Sequence, residues 1–296
     1  MRLVTRGDLD GLTCAILLHE VEAIDDVVLA HPKDVQDGKF EITGNDVLAN
    51  LPYDARAGMW FDHHSSQAAA AERPEGFKGA YEIAPSAARV IAHHYNSPKF
   101  ARFATLLDET DRLDAAQLQM EDVRHPGGWI LLGYTLDPRT GLGGFRDYFQ
   151  KLVRLGRTQH VDEILEEPEV AERVRRVHDE TRTFIKHLNE VAKLDKNVIY
   201  MDVRGMKDLP AGNRFLVYTI FMRGNVSMRV ADGLAGKFIS IQVGHSIFNR
   251  TCKTNVGDLM ARHGGGGHRG AGTCQPTIDK AEDAIKDILD TLKANG

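Results

Sequence analysis

Leu3-Val4-Thr5-Arg6-Gly7-Asp8-Leu9-Asp10-Gly11-Leu12 is the stretch on which the reading of this chain turns. Leu3, Val4 and Thr5 make a short buried strand, Gly7 to Gly11 a tight turn, and Leu12 to Val21 an apolar helix. A strand that turns straight into a helix opens a parallel α/β layer, and ligands of such sheets gather at the carboxyl ends of the strands. Two carboxylates at i and i+2 in that turn can face one divalent cation, and hard oxygen ligands of this kind suit Mg²⁺ or Mn²⁺. Asp and Gly are also ordinary turn residues, so the motif gains meaning only from its partners further along the chain.

Further short apolar runs at Val27–Ala30, Phe40–Thr43 and Gly58–Phe61 read as strands two to four of the same parallel sheet. Polar clusters fall just after them: Asp8 and Asp10, then Asp46, then Asp62-His63-His64. From about Pro85 to Lys193 the pattern is mostly helical. Val170, Val174, Val177, Thr181, Phe184, Leu188 and Val191 recur at steps of four and three. That spacing predicts one long connecting helix over 169–193, with a seam that also suits contact with a second copy in a homodimer. Strands return at Val198–Val203, Phe215–Phe221, Val226–Val230 and Phe238–Val243, followed by helices at Val256–His263 and Ile278–Leu292. The fold class expected is α/β: a parallel-sheet domain over 1–160, linking helices over 161–194, and a smaller mixed α/β domain over 195–296.

Three stretches carry chemistry. The first is the Asp8/Asp10 turn. Haloacid-dehalogenase phosphatases share an Asp-x-Asp-Gly string there but place Thr or Val directly after the glycine, where this chain has Leu12. The second is Asp62-His63-His64 at the end of an apolar strand. Polar groups buried there need partners, and an imidazole oriented by a carboxylate suits a first-row metal. His93-His94, inside a helical pattern without acidic neighbours in sequence, reads instead as packing or surface. The third is Arg262-His263-Gly264-Gly265-Gly266-Gly267-His268-Arg269-Gly270-Ala271-Gly272. It matches a dinucleotide-binding glycine string only formally, because it follows a helix rather than a strand. Consecutive glycines can turn several N–H groups toward an anion, and His268, Arg269 and Arg262 add donors for phosphate oxygens.

Charge agrees with this division. The chain of 296 residues carries −5 overall, which excludes a protein that coats nucleic acid along its whole surface. Residues 195–296 hold 14 basic and 10 acidic groups, whereas the preceding part holds 23 and 32. The split suggests a cation-binding front and an anion-binding back. Cys14, Cys252 and Cys274 are scattered without a CxxC spacing, as in a reducing compartment. No apolar run approaches the roughly 18 residues of a membrane span, and Arg6, Asp8 and Asp10 stand where a signal peptide needs its apolar stretch. The expectation is a soluble cytoplasmic protein with no membrane partner.

In this order the three motifs resemble the DHH phosphoesterase superfamily with its DHH-associated C-terminal domain, over nearly the whole chain. The resemblance implies hydrolysis of phosphodiester or phosphoanhydride bonds with divalent cations, two Mn²⁺ being expected and Mg²⁺ an alternative. It assigns Asp8, Asp10, Asp46 and His63 as metal ligands, Asp46 bridging the two ions. Asp62 and His64 become orienting and phosphate-contacting groups. A last ligand comes from the helix around Leu107, where Asp108, Asp111 and Asp114 compete and Asp111 is preferred for sharing the Phe100, Phe103 and Leu107 stripe. Arg250, Gly265, Gly266, Gly267 and His268 are the implied substrate-binding groups. The substrate expected is a short oligonucleotide or related nucleotide; an exopolyphosphatase-like hydrolase and a catalytically reduced nucleic-acid-binding regulator are the alternatives. One departure stands out. Motif I of the superfamily usually has a histidine shortly before the first aspartate, and this chain has Val4, Thr5 and Arg6.

Overall fold

In the computed structural model, residues 1–71, 78–136, 144–210 and 212–295 are described. Part of the helical region expected over 85–193 falls at 137–143, outside them. The elements run β1 (Arg2–Thr5), α1 (Leu9–Val21), β2 (Asp26–Leu29), α2 (Pro32–Gln36), β3 (Asp46–Ala49), β4 (Met59–Asp62), β5 (Gly79–Tyr81), α3 (Ala87–Tyr95), α4 (Ala104–Asp114), α5 (Met120–Arg124), α6 (Gly128–Tyr134), α7 (Phe145–Gly156), α8 (Val161–Glu166) and α9 (Pro168–Val191). They continue β6 (Ala192–Asp195), β7 (Val198–Asp202), α10 (Leu216–Ile220), β8 (Val226–Asp232), β9 (Ile239–His245), α11 (Val256–Ala261), β10 (Gly266–His268), β11 (Ala271–Cys274) and α12 (Ile278–Ala294).

The first five strands form one wholly parallel sheet in the order β2-β1-β3-β4-β5. Side chains alternate across it. Leu3, Val47, Ala49 and Phe61 join the core built with α1, α3, α4 and α7, whereas Val4, Leu48 and Trp60 face the opposite way, onto Val35, Ile42 and Leu51. A sheet covered on both faces needs apolar residues at successive positions, which is why its strands read as unbroken hydrophobic runs. Helix α1 is enclosed on every side: all ten residues from Leu9 to Leu18 are buried, Asp10 and Thr13 included.

Two sequence expectations are corrected here. Phe40–Thr43 is not a strand; Ile42 and Phe40 pack beneath Trp60 without joining the ladder, and the third strand is Asp46–Ala49. Phe215–Phe221 is not a strand either. Its centre is the helix α10, whose Tyr218 hydroxyl donates to the Gly244 carbonyl at 2.8 Å.

The second sheet is mixed, in the order β10-β11-β9-β8-β7-β6, with only β7 and β8 parallel. Val226, Met228, Val230, Ile239, Ile241 and Val243 form its core with α11 and α12. The chain divides into two compact units: Met1–Gln117 with Pro126–Arg176, and Leu118–His125 with Val177–Gly296. The division falls inside α9, and the short stretch holding α5 belongs to the second unit. Among the described residues no helix is long and apolar enough to cross a membrane.

Candidate metal centre

The centre is assembled at the carboxyl ends of β1 and β4. Asp8 is the N-cap of α1, its Oδ1 accepting the Gly11 N–H at 2.9 Å. Glycine at 11 is demanded by space, since a Cβ there would lie 2.0 Å from the Arg6 carbonyl oxygen. In the first turn of α1, Asp10 is 1 % exposed. Its two oxygens accept the Ala87 and Ala88 N–H groups at 2.9 and 2.8 Å, so the carboxylate rests on the N-terminus of α3. That terminus is set by Ser86, whose Oγ accepts the Arg89 N–H at 3.0 Å. Burial drives the Asp10 carboxyl up to about 6 and the Asp8 charge adds to it, while His63 and the two backbone donors pull it down.

His63 and His64 follow β4. The His63 Nδ1 donates to the Ala84 carbonyl at 3.0 Å, because a carbonyl can only accept, and this leaves a lone pair on Nε2. The Nε2 lies 3.3 Å from an Asp114 oxygen and 3.8 Å from an Asp10 oxygen, and it is buried with no hydrogen-bond partner. An imidazole nitrogen and two carboxyl groups this close need a cation or a shared proton among them. Adjacent ligands of an octahedral ion at 2.0–2.1 Å are about 3 Å apart, so Asp10, His63 and Asp114 are spaced to close on one divalent cation. Desolvation, then the Asp10 and Asp8 charges, raise the Asp114 carboxyl well above the ordinary carboxylate range. The donor set fits a hard or borderline divalent metal.

Asp62, 1 % exposed, ends β4 and accepts from His64 Nδ1 at 2.8 Å, which raises the imidazole's pKa against the opposing effect of burial. Its other oxygen, Oδ2, is buried without a partner.

The remaining expected residues lie differently. Asp46 opens β3 rather than following a strand, paired across the ladder with Arg2, which is at the opposite end of β1 from Asp8. Arg2 Nε and Nη2 reach it at 2.8 and 2.7 Å and the Thr43 N–H at 2.7 Å; against the effect of burial, these hold its carboxyl below the usual range. The structure therefore separates Asp46 from the carboxylates at the other strand ends. At the carboxyl end of β3 stands Asn50, fully buried, at φ 58°, donating from Nδ2 to Asp8 Oδ1 at 3.1 Å. Asp111 is not turned to the centre. It accepts from Ser86 Oγ at 2.5 Å and from Arg89 Nε at 2.7 Å, and Arg89 also holds Asp108. Asp114 takes the position beside His63 because Phe103, Leu107, Thr110 and Asp114 share a face of the α4 segment, with Thr110 Oγ1 2.7 Å from Thr13 Oγ1 on α1.

In the second unit, Gly265 to His268 enter the β10–β11 hairpin. A Cβ at Gly265 would meet the Thr273 carbonyl oxygen at 2.1 Å, and one at Gly267, whose φ is +154°, the Ala271 carbonyl oxygen at 2.3 Å. His268 and Arg250 are exposed, the Arg250 Nε donating to the Ile247 carbonyl at 3.0 Å.

Superposition on solved structures places this chain against a pGpG-specific phosphodiesterase, PggH, from Vibrio cholerae, at 38 % identity and a TM-score of 0.87 over 100 % of this chain and 99 % of that one. The chain belongs to the DHH superfamily of phosphoesterases. RecJ of Thermus thermophilus, solved with Mn²⁺, shares the fold at 15 % identity and a TM-score of 0.56, covering 100 % of this chain and 52 % of that one. An exonuclease RecJ bound to manganese does so at 13 % and 0.51, over 98 % and 90 %. No protein-family model matches the chain, nor does any curated protein sequence.

Proposed function

We propose that the protein is a divalent-metal-dependent phosphodiesterase acting on very short oligonucleotides, with a 5′-phosphorylated dinucleotide such as pGpG as the substrate class. The observation that carries the reading is the buried, partnerless Nε2 of His63 set between Asp10 and Asp114. Full-length identity of 38 % to a pGpG-specific phosphodiesterase supports the substrate class.

In this reading Asp10, His63 and Asp114 hold Mn²⁺ or Mg²⁺, which when bound supplies Lewis-acid polarisation of the phosphoryl group and an acidified water. The rest is done by the chain. Asp62 fixes the His64 ring through Nδ1 and favours its protonated form, so that Nε2–H can donate to a phosphoryl oxygen as charge develops there. In the second unit, taken by itself, Arg250 and His268 are exposed and can each donate to a phosphate oxygen, whereas the Gly265 N–H is already given to the Met260 carbonyl at 2.9 Å.

The test is a turnover screen of pGpG, other 5′-phosphorylated dinucleotides, a longer oligoribonucleotide and polyphosphate, each with Mn²⁺ or Mg²⁺. Dinucleotide cleavage to mononucleotides that stops with chelator, and is lost in His63→Ala and Asp62→Ala, is the expected result. Turnover of polyphosphate alone, or tight nucleotide binding with no turnover under either metal, refutes it.

A further inference from the structure

We propose that this chain takes up a single divalent cation, at Asp10, His63 and Asp114, and that the Arg6 guanidinium serves at Asp8 in place of a second. The inference rests on the phosphodiesterase reading above and deepens it.

Asp8 is already engaged on both oxygens. Oδ1 accepts from the Gly11 N–H at 2.9 Å and from Asn50 Nδ2 at 3.1 Å, and Oδ2 lies 3.1 Å from Arg6 Nε. A carboxylate has about four lone-pair sites; two donors converge on Oδ1, and Oδ2 is held in an ion pair. Among the described residues neither an imidazole nor a second carboxylate joins Asp8 from β1 or β3, and the oxygen beside it is the neutral Asn50 Oδ1, buried without a partner. No imidazole precedes Asp8, because the chain there is Val4-Thr5-Arg6. The carboxyl end of β3, from which a carboxylate could bridge two ions, presents the neutral amide of Asn50. Asp46, the carboxylate of that strand, is bound to Arg2 at the other end. A fixed cation beside Asp8 also repels an incoming divalent one.

At His63 a buried nitrogen faces two carboxylates without a hydrogen-bond partner, and Asp62 Oδ2 is likewise buried without one, whereas Asp8 Oδ1 accepts from two donors and Oδ2 is ion-paired with Arg6. Arg6 is 37 % exposed on its side chain, and it has no partner among the described residues beyond Asp8. Its Nη1 and Nη2 groups are therefore free to fork onto two phosphoryl oxygens, the bidentate geometry that guanidinium groups supply and an ammonium cannot.

Two measurements test this. Metal content after Mn²⁺ saturation and gel filtration should be one ion per chain, with the six-line electron paramagnetic resonance spectrum of an isolated Mn²⁺. The double variant Arg6→His, Asn50→Asp should bind two, with a spin-coupled spectrum. His63→Ala should lose the single ion. Two coupled ions in the unaltered protein overturn the inference while leaving the phosphodiesterase reading intact; no bound ion together with no turnover overturns both. For the guanidinium, Arg6→Lys and Arg6→Gln should each keep one Mn²⁺ per chain and raise KM for pGpG 10-fold or more. An unchanged KM in both variants, each shown folded by circular dichroism, refutes the role of Arg6.

Discussion

Replacing Asp10 by asparagine should make the metal-free protein more resistant to urea at neutral pH, and the gain should vanish in acid. The Asp10 carboxyl titrates at about 6 in the folded chain against an ordinary value near 3.8, because it is fully buried and shares its surroundings with the Asp8 charge. A carboxyl whose folded pKa is raised binds its proton more tightly when folded, so it costs stability as pH rises from the unfolded towards the folded value. The shift corresponds to about 3 kcal/mol once both states are ionised, and about 1 kcal/mol of it is already present at pH 4.5. Asparagine at position 10 resembles the protonated acid: it stays neutral and can still accept one of the two N–H bonds from α3. The stability difference between variant and parent should therefore swing by about 2 kcal/mol between pH 4.5 and pH 8, in favour of the variant. At an m-value of roughly 2 kcal/mol per M, this is a shift of about 1 M in the urea midpoint. Trp60 and Trp129, the only tryptophans, both lie in the first unit, so their fluorescence reports the relevant transition. The titration is run in chelator, then repeated with saturating Mn²⁺, where the parent should regain the advantage through metal binding. A pH-independent difference, or one that favours the parent in chelator at pH 8, would refute the reasoning.

Asp114→Asn should weaken Mn²⁺ binding at least 100-fold by calorimetry, whereas Asp111→Asn should change it less than 10-fold and instead lower stability through the Arg89 and Ser86 contacts. Asp46→Asn should cost roughly 1.5–3 kcal/mol of stability from the bidentate Arg2 bond while leaving metal content unchanged; loss of the ion in a folded protein would restore Asp46 as a ligand. Ser86→Ala removes the cap of α3 and should cost about 1 kcal/mol in thermal unfolding, and it should also weaken Mn²⁺ binding by loosening the N–H groups that hold Asp10.

Much of the fold could be read from local pattern, because each strand of a sheet covered on both faces is a short apolar run between turns. The exceptions have physical causes. Phe40-Glu41-Ile42-Thr43 alternates as a half-buried strand does, and its apolar residues do pack inward, but as a loop under Trp60. The true third strand opens with Asp46, a poor strand residue until Arg2 is known to neutralise it from a strand 44 residues away in sequence. Phe215–Phe221 is rich in aromatic and β-branched residues, and its packing against the second sheet overrides that propensity. The centre was legible in kind, since Asp10 and His63 each follow a strand. Choosing among Asp108, Asp111 and Asp114 required knowing that Arg89 comes back from α3 to claim two of them. The Thr110–Asp114 spacing on the face that meets α1 was the available signal. Asn50 carried none, because its meaning depends on which residues form β3.

The eight residues Leu118–His125 belong with the second unit although the chain returns to the first unit afterwards, and Arg124 donates to the Thr219 carbonyl at 2.6 Å. During synthesis the first unit has all its residues once Arg176 has left the ribosome, but those eight must wait for their hosts. At 5–20 residues per second the interval is on the order of ten seconds. A nascent chain thus spends that time as a finished unit with an unclaimed apolar tether, holding Leu118 and Val123 that end up buried. Truncation inside α9 would make this temporary state permanent.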